Sequence, residues 1–147
     1  MKIVNKKAAF DYEILDRFEA GIVLSGQEVK SLRDGHAKLD GSFVKILGNE
    51  AYLINANIFP YTYARPEKYD PKQTRKLLLH RRELISIRSK IDGANLTLIP
   101  ISWYTKGPLI KLEVGLARGK KQYEKRDKMR KEQQKRELER EFRGRVK

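Results

Sequence analysis

Between Ile110 and Ala117 the chain alternates without interruption: Ile110, Leu112, Val114 and Leu116 are apolar, and Lys111, Glu113, Gly115 and Ala117 stand between them. A period of two puts one set on a buried face and the other toward solvent, the pattern of a half-buried β-strand. The run before it, Leu96 to Tyr104, is rich in strand formers, and Lys106-Gly107-Pro108 supplies a turn, so the two read as an antiparallel hairpin. Alternation fails around Pro100, where the missing N–H calls for a bulge or an edge position. Ser42 to Leu47 and Ala51 to Phe59 flank Gly48-Asn49-Glu50 as a second hairpin. Asp11 to Leu24 holds one or two further strands, interrupted at Gly21.

Two helices fit between these strands. Ser25 can cap a short one carrying Val29 and Leu32, with Gly35 as its left-handed stop. The second lies within Thr74 to Ile91, where Leu77, Leu84 and Ile91 fall seven apart and Gly93 follows. Its start has two readings. Asp70-Pro71 offers a cap and a first-turn proline, whereas His80 with Glu83 three residues later opens a later helix after a Leu77-Leu78-Leu79 strand. Several short strands and few helices in residues 1–118 predict a mainly β fold. The expected form is a small, partly open antiparallel barrel of the oligonucleotide-binding type, with two or three short helices.

Charge narrows the function. The chain has 33 Lys plus Arg against 19 Asp plus Glu, a formal charge of +14, more than solubility requires. Such a surplus points to a polyphosphate partner, because neutralising phosphates releases condensed counterions. Nucleic acid leads. Cysteine is absent and the histidines are His36 and His80, which excludes disulfide scaffolds, thiolate zinc sites, cysteine nucleophiles and multi-histidine metal centres. No metal or cofactor is expected. A magnesium nuclease built on Asp11, Glu13 and Asp16 is disfavoured, since Asp16 need not share the face of the other two and no histidine lies nearby as a base. No apolar run approaches the roughly 18 residues of a membrane span, and the first residues lead into no signal-peptide core. The expectation is a soluble, cytoplasmic, non-catalytic monomer.

Residues 119–147 read as a separate tail that follows an RNA-binding barrel domain of residues 1–118. The tail carries a net charge of +7 in 29 residues, and its large apolar residues are Tyr123, Met129, Leu138, Phe142 and Val146, too few to bury a stripe along its length. Leu138, Phe142 and Val146 recur every four residues and could seat one face on a partner. Such a segment is expected to be disordered alone and helical when bound.

More specific patterns run through the chain in order. They are Asn5-Lys6-Lys7-Ala8 with Asp11-Tyr12, then Glu19-Ala20-Gly21-Ile22, then Gly26-Gln27-Glu28-Val29-Lys30-Ser31-Leu32-Arg33. Asp70-Pro71 with Arg75-Lys76-Leu77-Leu78-Leu79 follows, and Gly115-Leu116-Ala117-Arg118-Gly119-Lys120-Lys121 with Lys125-Arg126-Asp127 completes the set. In order and approximate spacing these blocks resemble the SsrA-binding protein family, also called small protein B. The resemblance implies a bacterial or organellar factor that catalyses no reaction. Such a factor binds transfer-messenger RNA and brings it to ribosomes stalled on messages without a usable stop codon. Its body would hold the tRNA-like end of that RNA, and its tail would enter the vacant decoding centre and message channel of the small subunit.

Carried over residue by residue, the resemblance places Asn5, Lys6 and Glu19 on the RNA-facing surface, with Lys7 adjacent in the same block. Lys30, Arg75 and Lys76, basic residues of the matching blocks, are expected to add RNA contacts, and Lys120 and Lys121 after the last strand are expected to contact phosphates. Tyr123 falls where the family stacks a ring on a ribosomal RNA base, beside Glu124, Lys125 and Arg126 at the decoding site. Glu124 departs from the family's usual aspartate, keeping the charge on a longer side chain. Glu19 is the informative residue, because a carboxylate opposes the phosphate field unless it accepts from base edges or orients a neighbouring cation. Trp103 and Tyr104 are candidates for a stacking platform, with core packing favoured for Trp103 beside Ile101. The rival reading is a basic ribosomal or single-strand RNA-binding protein with no rescue role.

Overall fold

The computed structural model describes residues 1–61, 68–119 and 122–145, and of residues 122–128 and 141–145 it describes the backbone only. The alternating stretch is a strand. β8 (Thr97–Lys106) and β9 (Leu109–Gly119) pair antiparallel along their length and are joined by Gly107-Pro108. Gly107 has φ +59°, which glycine adopts without a Cβ penalty, and the following proline suits the second position of a II′ turn. The register shifts between Pro100 and Ser102, a bulge that lets the ladder pass a residue with no donor.

Ahead of this hairpin come β1 (Lys2–Val4), α1 (Lys6–Asp11), β2 (Tyr12–Ile22), α2 (Gly26–Arg33), β3 (Ala37–Lys38), β4 (Phe43–Leu47) and β5 (Glu50–Ile54). β6 (Asn57–Ile58), β7 (Arg75–Leu78) and α3 (Arg81–Gly93) complete the body, and α4 (Gln122–Arg145) follows β9. The main sheet runs β1-β8-β4-β5-β7-β2-β9, and because β9 also pairs with β8 the sheet closes on itself as a barrel. Closure is uneven. β2 and β8 flank β9 over long ladders, whereas β4 meets β8 through the single pair Val44↔Leu98, so the barrel is partly open there. Mainly antiparallel β with short helices is the architecture the strand pattern predicted.

Several expectations are refined. β2 is one strand that passes through Gly21; a Cβ there would lie 3.2 Å from the Leu78 Cβ on β7, so the glycine permits close strand approach rather than breaking the strand. The second hairpin ends at Ile54. Asn55 takes φ +66° and the chain leaves the main sheet to pair β6 with β3. α3 starts at the later site, with the His80 N–H donating to Glu83 Oε1 at 3.2 Å; of the preceding leucines, Leu77 and Leu78 are in β7 and Leu79 follows its end. α1 was not foreseen from the sequence.

The core follows from the alternation. Leu112, Val114 and Leu116 of β9 meet Ala20, Leu53, Leu77 and the wholly buried Trp103, while Ile87 of α3 and Leu32 of α2 belong to the same cluster. A second small cluster seats Ala8 of α1 against Ile99 and Ala117 on the other face. Removing these side chains from water is the main favourable contribution to the fold.

One buried ion pair ties the elements together. Arg75, 3% exposed, donates from Nε to Glu28 Oε2 at 2.5 Å, from Nη1 to the Ala56 carbonyl at 2.8 Å and from Nη2 to the Pro71 carbonyl at 2.9 Å. Glu28 completes the Ser25 capping box, accepting the Ser25 N–H at 3.0 Å. Burial opposes the charged form of Glu28, yet the Ser25 amide and the Arg75 guanidinium bring its pKa below the ordinary carboxylate value. Arg75→Ala should strand Glu28 and cost about 3–5 kcal/mol in urea or thermal unfolding, far more than breaking an exposed, solvent-screened pair such as Lys76–Glu50. Because the folded pKa of Glu28 is depressed, its stabilisation is present above about pH 4.3 and is lost as pH falls through the folded value. Glu28→Gln should flatten that acid limb of the stability profile.

Candidate nucleic-acid interface

Asn5 is the N-cap of α1. Its Oδ1 accepts the Ala8 N–H at 3.3 Å, its Nδ2 donates to the Pro100 carbonyl at 3.0 Å, and its own N–H donates to the Ile101 carbonyl at 2.8 Å. At 6% exposure with every polar group engaged, Asn5 is not an RNA-facing side chain as expected; it pins α1 onto the β8 bulge. What it positions is Lys6 and Lys7. Both are exposed, and no ion pair among the described residues engages either. Lys7 borders a cleft of about 220 Å³ with Tyr12 and Phe43, and both lysines border another of about 310 Å³ with Lys38. Unneutralised ammonium groups beside concave surface suit phosphate.

Glu19 lies on the outer face of β2. It accepts the Tyr104 hydroxyl on one oxygen and Lys106 Nζ at 3.1 Å on the other. The Tyr104 hydrogen bond, then Lys106, holds its carboxyl below the ordinary range, while burial and the carboxylate raise the Tyr104 phenol. Arg17 on the same face is bonded to Glu113 at 2.7 Å; Arg118 is bonded to Glu13 at 2.6 Å on the other side of the β2–β9 ladder. Arg17 and Lys106 here are met by carboxylates, whereas no ion pair among the described residues engages Lys6 or Lys7.

The remaining expected contacts divide. Arg75 is a correction: its guanidinium is sealed in the Glu28 network and cannot reach RNA. Lys76 is exposed and paired with Glu50 at 2.9 Å, and Lys30 on α2 sits 5.4 Å from the centre of the Tyr61 ring, close enough for a cation–π contact. Lys120 and Lys121 lie outside the described residues, as do the side chains of Tyr123, Glu124, Lys125 and Arg126; the backbone of these four belongs to α4. Residues 129–140 of α4 are exposed throughout. Sequence reasoning missed Lys38, Arg17, Lys106 and the α1 cap. The signal for the cap was present in Asn5 followed by the helix formers Lys6, Lys7 and Ala8. The others meet through tertiary pairing alone.

Among the described residues no group of three or more His, Cys, Asp or Glu could hold a metal ion, and no helix is long and apolar enough to cross a membrane. A nearly closed antiparallel barrel with unpaired lysines beside surface clefts and a basic C-terminal helix defines a small basic protein of oligonucleotide-binding architecture. The SmpB protein family profile matches residues 2–144. The SsrA-binding protein of Sulfurihydrogenibium sp. (strain YO3AOP1) is 48% identical over 97% of this chain and 94% of its own, and that of Aquifex aeolicus (strain VF5) is 46% identical over 97% and 91%. A chain in a solved structure described as "tmRNA-SmpB: a journey to the center of the bacterial ribosome" is 44% identical, with a TM-score of 0.69 over 82% of this chain and 85% of that one. This chain belongs to the SmpB family.

Among the described residues no ion pair engages Lys6 or Lys7, whereas Arg17 is paired with Glu113, and the lysines should differ from it in salt dependence. Lys6→Ala or Lys7→Ala should each lower the slope of log affinity against log salt by roughly 1 on a structured RNA, and Arg17→Ala should leave it nearly unchanged. Filter binding across a salt series reads this directly.

Proposed function

We propose that this chain binds transfer-messenger RNA, the SsrA RNA, and delivers it to stalled ribosomes in trans-translation. The observation that carries the reading is the match to SsrA-binding proteins at 46–48% identity across 97% of the chain. The surface is consistent with it, since Lys6 and Lys7, which no ion pair among the described residues engages, border clefts where phosphates can be neutralised. Lys120 and Lys121 would extend that grip where the chain leaves β9.

The protein acts as an adaptor in the cytoplasm, alone and without catalysis. Its barrel, residues 1–118, grips the tRNA-like part of the RNA, and its tail, residues 119–147, occupies the vacant decoding centre and message channel. The helical state of the tail, described here as α4, is the one it takes on the ribosome, and in this reading the tail loses it in the free protein. Its composition supports this: +7 in 29 residues with few large apolar side chains gives a helix little to bury against until RNA surrounds it. Tyr123 stacks on a ribosomal RNA base and Glu124, Lys125 and Arg126 contact the same site. Glu124 reaches one methylene farther than an aspartate would.

Binding to the tRNA-like domain and to an ordinary tRNA at one matched salt concentration tests the barrel's role. A clear preference for the first is expected; equal affinity would leave only the attraction of a +14 polycation and would overturn the reading. Truncation before Tyr123 should keep that preference and abolish peptide tagging on stalled ribosomes. Loss of RNA binding on truncation would show that barrel and tail do not have separate tasks.

A further inference from the structure

Trp103 and Tyr104 are neighbours on β8 and so point to opposite faces of the sheet. Trp103 is wholly buried, and Tyr104 is half-buried on the outer face. In register Tyr104 stands opposite Lys111 of β9, and Glu19 of β2 stands opposite Glu113 of β9, so an entire strand lies between Tyr104 and Glu19. The Tyr104 hydroxyl nevertheless donates to the Glu19 carboxylate. To do so the phenol leans across β9 and lies along the sheet near Lys111 and Glu113. Its tip is fixed in the free protein, so a ligand that stacks on it need not first immobilise it.

We propose that Tyr104 is a nucleobase-stacking platform and that Glu19 is its positioning residue, holding the ring by its hydroxyl instead of reading a base. The proposal rests on the transfer-messenger RNA reading and adds a base-contacting site to it. Both Glu19 oxygens are occupied, one by Tyr104 and the other by Lys106, so a base donor would have to displace an existing partner. The surrounding charge favours a base over a phosphate. Arg17 is paired with Glu113 and Lys106 with Glu19, so two of the three cations around the ring are met by carboxylates and Lys111, opposite Tyr104, is the third; a π face accepts any base without a phosphate contact. Phosphate attraction then belongs to the Lys6 and Lys7 side of the barrel, and ring stacking to this one.

The test is a salt series with the tRNA-like RNA on the full chain. Tyr104→Ala should weaken binding about 5- to 100-fold at every salt concentration with the salt slope unchanged, because no phosphate contact is removed. Tyr104→Phe keeps the ring and should stay within about 3-fold of wild type. Glu19→Gln should cost a similar small factor, and almost nothing more when made in the Tyr104→Phe background, since the two share one hydrogen bond. Wild-type affinity in Tyr104→Ala, or an undiminished Glu19→Gln effect in Tyr104→Phe, would overturn the proposal. Should Tyr104→Ala lose its cooperative thermal transition, Tyr104→Trp decides. Trp103 is the native tryptophan and is buried, so the added exposed emission should be quenched in the saturated RNA complex, and unquenched emission would refute stacking. If the wild type fails to prefer the tRNA-like RNA over tRNA, the functional reading fails, and the Tyr104→Ala ratio still reports stacking on either RNA.

Discussion

The buried Glu28–Arg75 pair is the constraint on which the rest of this structure depends. An ion pair out of water is tolerated only when the remaining donors and acceptors find partners, and here they do. Arg75 is bonded to Glu28, Ala56, Tyr69 and Pro71, and Glu28 also closes the capping box of α2. One guanidinium thereby fixes the start of α2 and the segments before and after β6 relative to β7, a central strand of the barrel. Elements far apart in sequence share one set of directional bonds, which an apolar contact in the same place would not specify. Neither charge is available to a ligand, so the +14 of the chain has to be spent elsewhere on the surface.

That surface is divided by pairing rather than by the number of cations. Lys6 and Lys7 follow a buried cap that commits Asn5 to the backbone, and no ion pair among the described residues engages them. On the β2–β9–β8 face the strand register brings Arg17 to Glu113 and Lys106 to Glu19. Cations without carboxylate partners raise the local potential toward phosphate, whereas cations met by carboxylates contribute little to it. The two kinds of surface occupy different parts of one small barrel, and α4, exposed over residues 129–140, follows β9 as a third element.

Much of the fold was legible because it is written in local signals. The alternation of β9, the Gly107-Pro108 turn, the bulge at Pro100 and the Ser25 cap each follow from a residue's own backbone chemistry and its immediate neighbours. Gly21 misled because its role is a close approach to Leu78, a contact between strands separated by more than 50 residues. The site was legible in part. Lys6, Lys7 and Glu19 are exposed as expected of surface residues, but Asn5 and Arg75, equally polar in sequence, are buried by partners that pattern alone cannot reveal.

The sequence by itself determined the strand period, the turns, the basic excess and the absence of thiol chemistry, since each depends on residue type and spacing within a few positions. Closure of the barrel, the choice of which cations are neutralised, and the leaning of Tyr104 over β9 toward Glu19 were decided only by tertiary structure. The physical reason is register. In a closed sheet the pairing of distant strands sets which side chains become neighbours, and a charge or a ring acquires its role from the neighbour it is given.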